Sequence, residues 1–289
     1  MAPPRRYRAL LVAALVGMLT ILVSGPASAA TTGASGPSYY LALGDSLAIG
    51  IQPDSQGQLQ QTDSGYPNLL FADLHPSEPV LRLVNLGCSG ETTTTFLAGG
   101  LCSYGALGSQ LGAAVAFLLA HRGHVRMVTI NLGGNDIGGC ADLSGIDYTC
   151  VQQSKNRVRI NLTAAMVAIR AAAGGRVPIV GMNFYDPVLA FSLFGAPDIA
   201  QASIPVVVGI NDMLEQVYGS VGAPTADVES AFQTLDTTPI TVPGLGVVPT
   251  DLARLCQFTF MCAPPPVGPN DHPTDAGYRT IANAFAAEL

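Results

Sequence analysis

The sequence predicts an α/β fold built on a parallel β-sheet, and three observations support this. Apolar runs bounded by turn residues alternate with longer amphipathic segments. The runs are almost continuously apolar, as expected for strands that are buried on both faces of a sheet. Helical crossovers are the natural connection between such parallel strands. The chain of 289 residues is 48% hydrophobic and 11% charged, which supplies an ample core, and it shows no second domain boundary.

Each predicted element follows from its local pattern. The apolar runs predict strands at 39–44, 80–86, 125–132, 177–182 and, less clearly marked, 224–228. The amphipathic segments between and after them predict helices near 67–74, 106–121, 151–173, 197–217 and 274–289. The segment 237–269 shows neither period and is rich in Pro and Gly, so we expect a long ordered loop there.

The first 29 residues have the composition of a secretory signal peptide. Arg5, Arg6 and Arg8 precede an apolar run at 9–23, and the small residues that follow end in a signal-peptidase site after Ala29. A membrane anchor is the alternative, but a run of about 15 residues is shorter than the roughly 20 that a spanning helix needs. We therefore expect a secreted, extracellular protein with a single domain at 30–289.

The charge balance excludes one class of partner. The chain carries 13 Lys+Arg against 20 Asp+Glu, a net charge of -7, and Lys155 is the only lysine. Removing the signal peptide would take away three arginines and no acidic residue. Binding to a phosphate backbone requires clustered basic residues, so nucleic acid is not an expected partner. We also expect no stable membrane anchor, and a monomer.

The cysteines predict disulfides, because an even number of them in an exported chain usually pairs. Their spacing gives three local couples: Cys88 and Cys102, Cys140 and Cys150, Cys256 and Cys262. Nearest-neighbour pairing is favoured, although six cysteines allow 15 connectivities. A zinc site is disfavoured because the spacings are not those of zinc ligands and no histidine lies beside them.

Polar residues capable of catalysis follow three of the predicted strands and precede the last helix. Ligands bind outside the carboxyl ends of the strands in an open parallel sheet, so these segments should share one rim. They are GDSL at 44–47, GCSGET at 87–92, GGND at 133–136 and NDHPTDAGY at 270–278. Together they offer a hydroxyl, flexible backbone amides, a side-chain amide and an imidazole. This is the set of groups that acyl transfer through a serine nucleophile needs.

In this order, the four segments resemble the sequence blocks of the SGNH (GDSL-type) hydrolases, from about residue 39 to the C-terminus. The resemblance implies that Ser46 is the nucleophile, Gly90 and Asn135 are oxyanion donors, and His272 is the general base. It also implies a three-layer α/β/α sandwich with a flavodoxin-like, five-stranded parallel sheet. The sequence contains no motif typical of a nucleotide or metal site, so no metal or organic cofactor is expected. The three cysteine couples are similar to those of secreted actinobacterial members of the family.

One position departs from the family's pattern. Many members have Asp three residues before the catalytic His, but this chain has Pro269 there. We therefore expect a Ser46–His272 dyad in which the main-chain carbonyl of Pro269 or Asn270 orients the imidazole. Asp271 and, more remotely, Asp227 are alternative orienting groups.

The resemblance implies a secreted serine esterase or lipase that acts on a small-molecule or lipid ester. Two apolar segments, 187–194 and 255–261, are candidates for the walls of an acyl pocket, although ordinary packing would explain them equally well. The chain contains no Trp to stack on a sugar, which slightly favours acyl esters. A carbohydrate O-deacetylase and a catalytically inactive binding protein of the same fold remain the alternatives.

Overall fold

The computed structural model describes residues 36–289, so the predicted signal peptide and its cleavage site lie outside the described residues. The strands are, in chain order, β1 Ser38–Gly44, β2 Ile51–Pro53, β3 Leu59–Gln61, β4 Leu81–Asn85, β5 Val125–Asn131, β6 Ala141–Asp142, β7 Gly145–Ile146, β8 Ile179–Met182, β9 Thr225–Ala226, β10 Pro239–Val242, β11 Gly246–Pro249, β12 Thr259–Phe260 and β13 Asn270–Pro273. The α-helices are α1 Tyr66–Leu74, α2 Thr93–Ala98, α3 Gln110–Ala120, α4 Gly134–Ile137, α5 Tyr148–Ala173, α6 Pro197–Gly219, α7 Val228–Ala231, α8 Thr250–Phe258 and α9 Asp275–Ala286.

The central sheet has five strands in the order β4-β1-β5-β8-β9, and every neighbouring pair is parallel. The first strand, β1, therefore lies inside the sheet. β4 pairs with it on one side, and β5, β8 and β9 follow on the other side. This is the flavodoxin-like order, whose ligand site lies where the direction of winding reverses, between β1 and β5.

Helices cover both faces of the sheet, as the alternation of side chains along β1 shows. Tyr40 and Ala42 belong to a core cluster that includes residues of α1, α8 and α9. Leu41 and Leu43 point to the other face, into a cluster with residues of α2, α3, α5 and α6. The three-layer α/β/α sandwich is thus confirmed.

The predicted strands all form, and two helices, α3 and α5, start several residues from their predicted starts. α5 begins at Tyr148 because the Asp147 side chain accepts hydrogen bonds from the Thr149 and Cys150 amides. α3 begins only at Gln110, where Ser109 caps it.

The prediction of a long loop at 237–269 was wrong. The segment contains the β10–β11 hairpin, helix α8 and strand β12. α8 has a buried face that includes Leu252 and Leu255, but Pro and Gly on either side of it obscure the helical period.

The three disulfides pair nearest neighbours: Cys88 with Cys102, Cys140 with Cys150 and Cys256 with Cys262. The first encloses α2, the second encloses the β6–β7 hairpin, and the third links α8 to the segment after β12. A search of the described residues finds no helix with the length and apolarity needed to span a bilayer.

Candidate active site

Ser46 and Asn135 follow the two strands that flank the reversal point of the sheet. Ser46 comes two residues after β1, and Asn135 lies in α4, just past β5. Gly44 at the end of β1 is in register with Asn131 at the end of β5. Both predicted residues therefore lie at the carboxyl edge of the sheet, where ligands of this fold bind.

The turn that carries Ser46 depends on Gly44. Gly44 has φ 137°, and a Cβ there would clash with the carbonyl of Asn131. The Gln110 side chain holds the main chain on both sides, since its Oε1 accepts from the Gly44 amide at 2.7 Å and its Nε2 donates to the Gly44 carbonyl at 3.0 Å. Ser46 is therefore displayed from a backbone that is fixed by buried hydrogen bonds.

Asp45 is a buried carboxyl beside Ser46 that the sequence analysis did not single out. Its Oδ1 accepts from the Leu47 amide at 2.9 Å and from Asn131 Nδ2 at 2.6 Å, and its Oδ2 accepts from Asn135 Nδ2 at 3.3 Å. Burial raises the pKa of Asp45 to about 7. A residue of the GDSL block thus contacts the amide of the GGND block.

Asn135 is held on two sides. Its Nδ2 donates to the Glu91 carbonyl at 3.0 Å as well as to Asp45. The next residue, Asp136, accepts from the amide and the hydroxyl of Thr93 at 2.7 and 2.8 Å, which fixes α4 against the start of α2. The side-chain amide predicted as an oxyanion donor is therefore positioned by the Gly90–Glu91 segment.

Gly90 lies in a turn that the Glu91 amide closes on the Cys88 carbonyl at 3.1 Å. Its φ of 78° is in the left-handed region, which favours glycine. An added Cβ would meet only Leu101 Cδ2 at 3.7 Å, so conformation rather than space requires glycine here. The Cys88–Cys102 disulfide ties this turn to the segment before α3. Gly90 is next to the residue that contacts Asn135, but it is not itself part of the cavity wall described below.

His272 lies in β13, and hydrogen bonds from distant segments hold that strand. Gln52 Nε2 donates to the Pro273 carbonyl at 3.0 Å, and the Tyr185 hydroxyl donates to the Asp271 carbonyl at 2.6 Å. Thr274 then caps α9 by accepting from the Gly277 amide. These bonds fix the imidazole relative to β2 and to the segment after β8.

The oxygen that faces His272 Nδ1 differs from the expected one. Asn270 Oδ1, a side-chain atom, lies 2.9 Å from Nδ1 and also accepts from the His272 main-chain amide at 3.0 Å. The expected main-chain carbonyls of Pro269 and Asn270 make no hydrogen bond to Nδ1 among the contacts of the described residues. An exposed Asp271 oxygen is farther away, at 3.5 Å. Asp227 is engaged elsewhere, with Asn183 and the start of α7.

The contact with Asn270 determines which nitrogen of His272 carries the proton. Asn270 Oδ1 is an amide oxygen and can only accept hydrogen bonds. The ring must therefore donate to it, so Nδ1 bears the hydrogen and Nε2 is the basic nitrogen. Burial lowers the pKa of His272 below its ordinary value, and the negative charge of Asp271 opposes that shift. The imidazole is therefore neutral at neutral pH and able to accept a proton.

Ser46, Asn135 and His272 line one cavity of about 560 Å³, together with Asp45 and Asn270. The rest of its wall is mostly apolar. The apolar wall includes the following residues: Leu47, Ile137, Leu143, Ile146, Val151, Phe184, Val188, Phe191, Phe194, Val206, Val207, Ile210 and Met261. A hydroxyl, an imidazole and a side-chain amide thus open onto an apolar space. This arrangement suits the transfer of an acyl group from a bound ester to the hydroxyl.

The predicted walls agree only in part with the observed ones. Pro187–Phe194, a 3-10 helix, lines the cavity, but of the segment 255–261 only Met261 does so. Leu255, a residue of α8, is instead buried in the core. The sequence analysis missed the loop between Cys140 and Cys150, which contributes Leu143 and Ile146.

Solved structures with a similar fold are ester hydrolases. A phospholipase A1 from Streptomyces albidoflavus aligns with 20% identity and a TM-score of 0.56 over 88% of this chain and 100% of its own. An extracellular lipase from Streptomyces rimosus aligns with 18% identity and a TM-score of 0.55 over 87% and 100%. An acetylxylan esterase from Geobacillus stearothermophilus aligns with 18% identity and a TM-score of 0.50 over 88% of this chain and 94% of its own. At these identities the likeness shows the fold alone.

A search of curated proteins gives no significant match. The sequence profile of the GDSL-like lipase/acylhydrolase family, in contrast, matches residues 42–280, which include Ser46, Asn135 and His272. The match covers most of the chain and joins the segments whose side chains meet at the cavity. The chain therefore belongs to the GDSL-like lipase/acylhydrolase family.

Proposed function

We propose that this protein is a secreted serine esterase or lipase that hydrolyses carboxylic esters through an acyl-enzyme on Ser46. One observation carries the proposal: Ser46 and His272 open onto the same apolar cavity, and Asn270 holds the imidazole so that its basic nitrogen is Nε2. Asn135 lines that cavity too. The nucleophile, the base and an oxyanion donor are thus available to one bound ester.

The reaction has two steps. His272 Nε2 takes the proton of the Ser46 hydroxyl while Oγ attacks the ester carbonyl carbon, and the protonated imidazole then gives its proton to the leaving alkoxide. A water molecule, deprotonated by Nε2, next attacks the carbonyl carbon of the acyl-enzyme. The bond between that carbon and Ser46 Oγ breaks, the imidazolium returns its proton to Oγ, and the carboxylic acid is released. We infer that the Asn135 Nδ2–H, the main-chain amide of Ser46 and, from the turn next to the cavity wall, the main-chain amide of Gly90 hold the oxyanion in both steps.

Asn270 replaces the carboxylate of a Ser-His-Asp triad as the group that orients His272. Its amide oxygen accepts the Nδ1 hydrogen and fixes the tautomer, but it offers a dipole where a carboxylate offers a charge. We infer that the imidazolium formed during the reaction is less stabilised here than in a full triad. Pro269 excludes a carboxylate at the usual position.

The proposal includes secretion and the absence of accessory groups. The Arg-led apolar segment before Ala29 and the three disulfides are typical of exported bacterial proteins. We propose that the mature protein acts as an extracellular monomer on a small-molecule or lipid ester, with no metal or organic cofactor and no nucleic-acid partner. The apolar cavity wall favours an acyl ester over a carbohydrate acetate.

The proposal is tested by the hydrolysis of p-nitrophenyl esters and by labelling with a serine-reactive phosphonate. Ser46→Ala should lower kcat on the order of 10⁴- to 10⁶-fold and abolish the label, since the nucleophile is lost. Ser220→Ala, at the end of α6 and outside the cavity wall, is the matched control and should behave as wild type. Labelling of Ser46→Ala would place the reactive serine elsewhere in the chain. A folded wild type that neither reacts with the phosphonate nor hydrolyses any ester would favour the inactive binding protein.

A further inference from the structure

We propose that the cavity beside Ser46 binds the acyl chain of a medium- to long-chain aliphatic ester, and that the loop between Cys140 and Cys150 determines the preferred chain length. The inference rests on the proposed function, because it concerns the acyl half of the same ester. It assigns a specificity role to Leu143, at the tip of this loop, and to Phe194, at the end of the 3-10 helix Pro187–Phe194.

The size and lining of the cavity indicate the substrate class. A volume of about 560 Å³ lies within the range of pockets that enclose drug-sized molecules, about 300 to 1,000 Å³. An acetyl group would leave most of this space to water in contact with apolar side chains. A longer alkyl chain would remove that water from the apolar wall, which is the favourable contribution of the hydrophobic effect.

The loop between Cys140 and Cys150 follows closely after α4, the helix that carries Asn135. It includes Asp147, which caps α5. The disulfide joins its ends, with the two Cα atoms 5.4 Å apart, and the Asp147 amide donates to the Cys140 carbonyl at 2.8 Å. One short, cross-linked segment therefore forms the cavity wall next to the helix that carries Asn135.

Within the loop, β6 and β7 form a small hairpin with Leu143 between them, and β7 contacts α6. The contact brings the hairpin to the α6 residues that complete the cavity, among them Val206 and Ile210. The hairpin is thus supported from behind by a long helix, and an alkyl chain would pack against a fixed surface.

Leu143 and Phe194 are the most exposed large hydrophobic side chains in the cavity wall. Their exposed fractions are 55% and 42%, although both line the cavity. Each therefore retains apolar surface that a bound chain can cover, in contrast to the buried wall residues Val151 and Val207. Shortening either side chain should weaken the binding of long acyl chains while the core stays intact.

The test compares kcat/KM for p-nitrophenyl acetate, butyrate, octanoate and palmitate in the full-length mature protein. In the wild type, kcat/KM should rise from acetate to octanoate. Leu143→Ala and Phe194→Ala should each lower the octanoate-to-acetate ratio by roughly fivefold, because part of a side-chain contact with the alkyl chain is lost. Leu119→Ala is the matched control, a leucine with 47% exposure on α3 and outside the cavity wall.

Two results would overturn the inference while leaving the proposed function in place. One is a Ser46-dependent wild-type activity that is highest on acetate. The other is an octanoate-to-acetate ratio that changes no more in Leu143→Ala and Phe194→Ala than in Leu119→Ala. If instead no ester is hydrolysed in a Ser46-dependent manner, the proposed function fails and the inference fails with it.

Discussion

Asn270 Oδ1 accepts two hydrogen bonds from the same residue: one from His272 Nδ1 at 2.9 Å and one from the His272 main-chain amide at 3.0 Å. The bond to Nδ1 fixes the tautomer of the His272 ring, and the bond to the main-chain amide fixes the Asn270 side chain. Two residues that are only two positions apart therefore form a self-contained unit for orienting the base. Such a unit needs no carboxylate from another position, which agrees with the presence of Pro269 three residues before His272.

Removing this unit should impair catalysis and alter the pH profile. We expect Asn270→Ala to lower kcat/KM by roughly tenfold, the effect of losing a neutral hydrogen bond that holds the reactive tautomer. Asn270→Asp should retain the geometry, and its negative charge should raise the pKa of His272. Because the base must be neutral to react, the acidic limb of the kcat/KM profile should move to higher pH in Asn270→Asp.

The matched control for this pair is Asn283→Ala, an exposed asparagine on α9. It should leave both kcat/KM and the pH profile unchanged. An Asn270→Ala enzyme with wild-type kcat/KM, or an Asn270→Asp enzyme with an unshifted acidic limb, would remove Asn270 from its positioning role.

Asn135→Ala should lower kcat by about 10²- to 10³-fold, since one preorganised oxyanion donor is lost. Asn135 is exposed, so the fold should be retained, which circular dichroism can verify. Asn161→Ala, which removes another side-chain amide near α2, is the control. The Asn135→Ala/Ser46→Ala double variant should be little worse than Ser46→Ala alone because both residues act on one transition state. Additive losses would argue against a shared oxyanion.

The sequence predicted the sheet well because its strands are buried on both faces and read as apolar runs. It also predicted that Ser46, Asn135 and His272 lie at one edge of the sheet, and all three line the same cavity. It missed the contact between Asn270 Oδ1 and His272 Nδ1, because a main-chain acceptor and a side-chain acceptor near the histidine cannot be distinguished without the local backbone geometry. It missed Leu143 because two-residue strands such as β6 carry no detectable periodicity.

The buried carboxyl of Asp45 should make stability depend on pH. Its pKa is raised to about 7 in the folded protein, against about 3.8 in the unfolded chain, so the folded state binds more protons between these values. Its stabilising contribution is complete below the unfolded pKa and is lost as the pH rises through about 7. Between pH 5 and pH 8 we expect the wild type to lose about 2 to 3 kcal/mol that Asp45→Asn does not lose.

Urea denaturation of both proteins across this pH range measures the difference. Burial raises the pKa of Asp186 to about 6. Its titration lowers the free energy of unfolding equally in both proteins, so it cancels in the comparison. Unfolding free energies that fall in parallel in wild type and Asp45→Asn would show that the Asp45 carboxyl does not titrate as described.

The Cys140–Cys150 disulfide should stabilise the protein and keep the cavity wall in place. Replacing both cysteines by serine removes a crosslink across ten positions, for which the chain-entropy relation gives a loss of roughly 2.5 to 3 kcal/mol in the free energy of unfolding.

Because the hairpin β6–β7 is short, it should also open locally in the native state of the variant that lacks this disulfide. We therefore expect faster amide exchange at 141–146 in the double variant, with no change in β5. The Cys256→Ser/Cys262→Ser variant is the control for a disulfide outside the hairpin. Equal exchange at 141–146 in all three proteins would mean that contacts with α6, and not the crosslink, hold the wall.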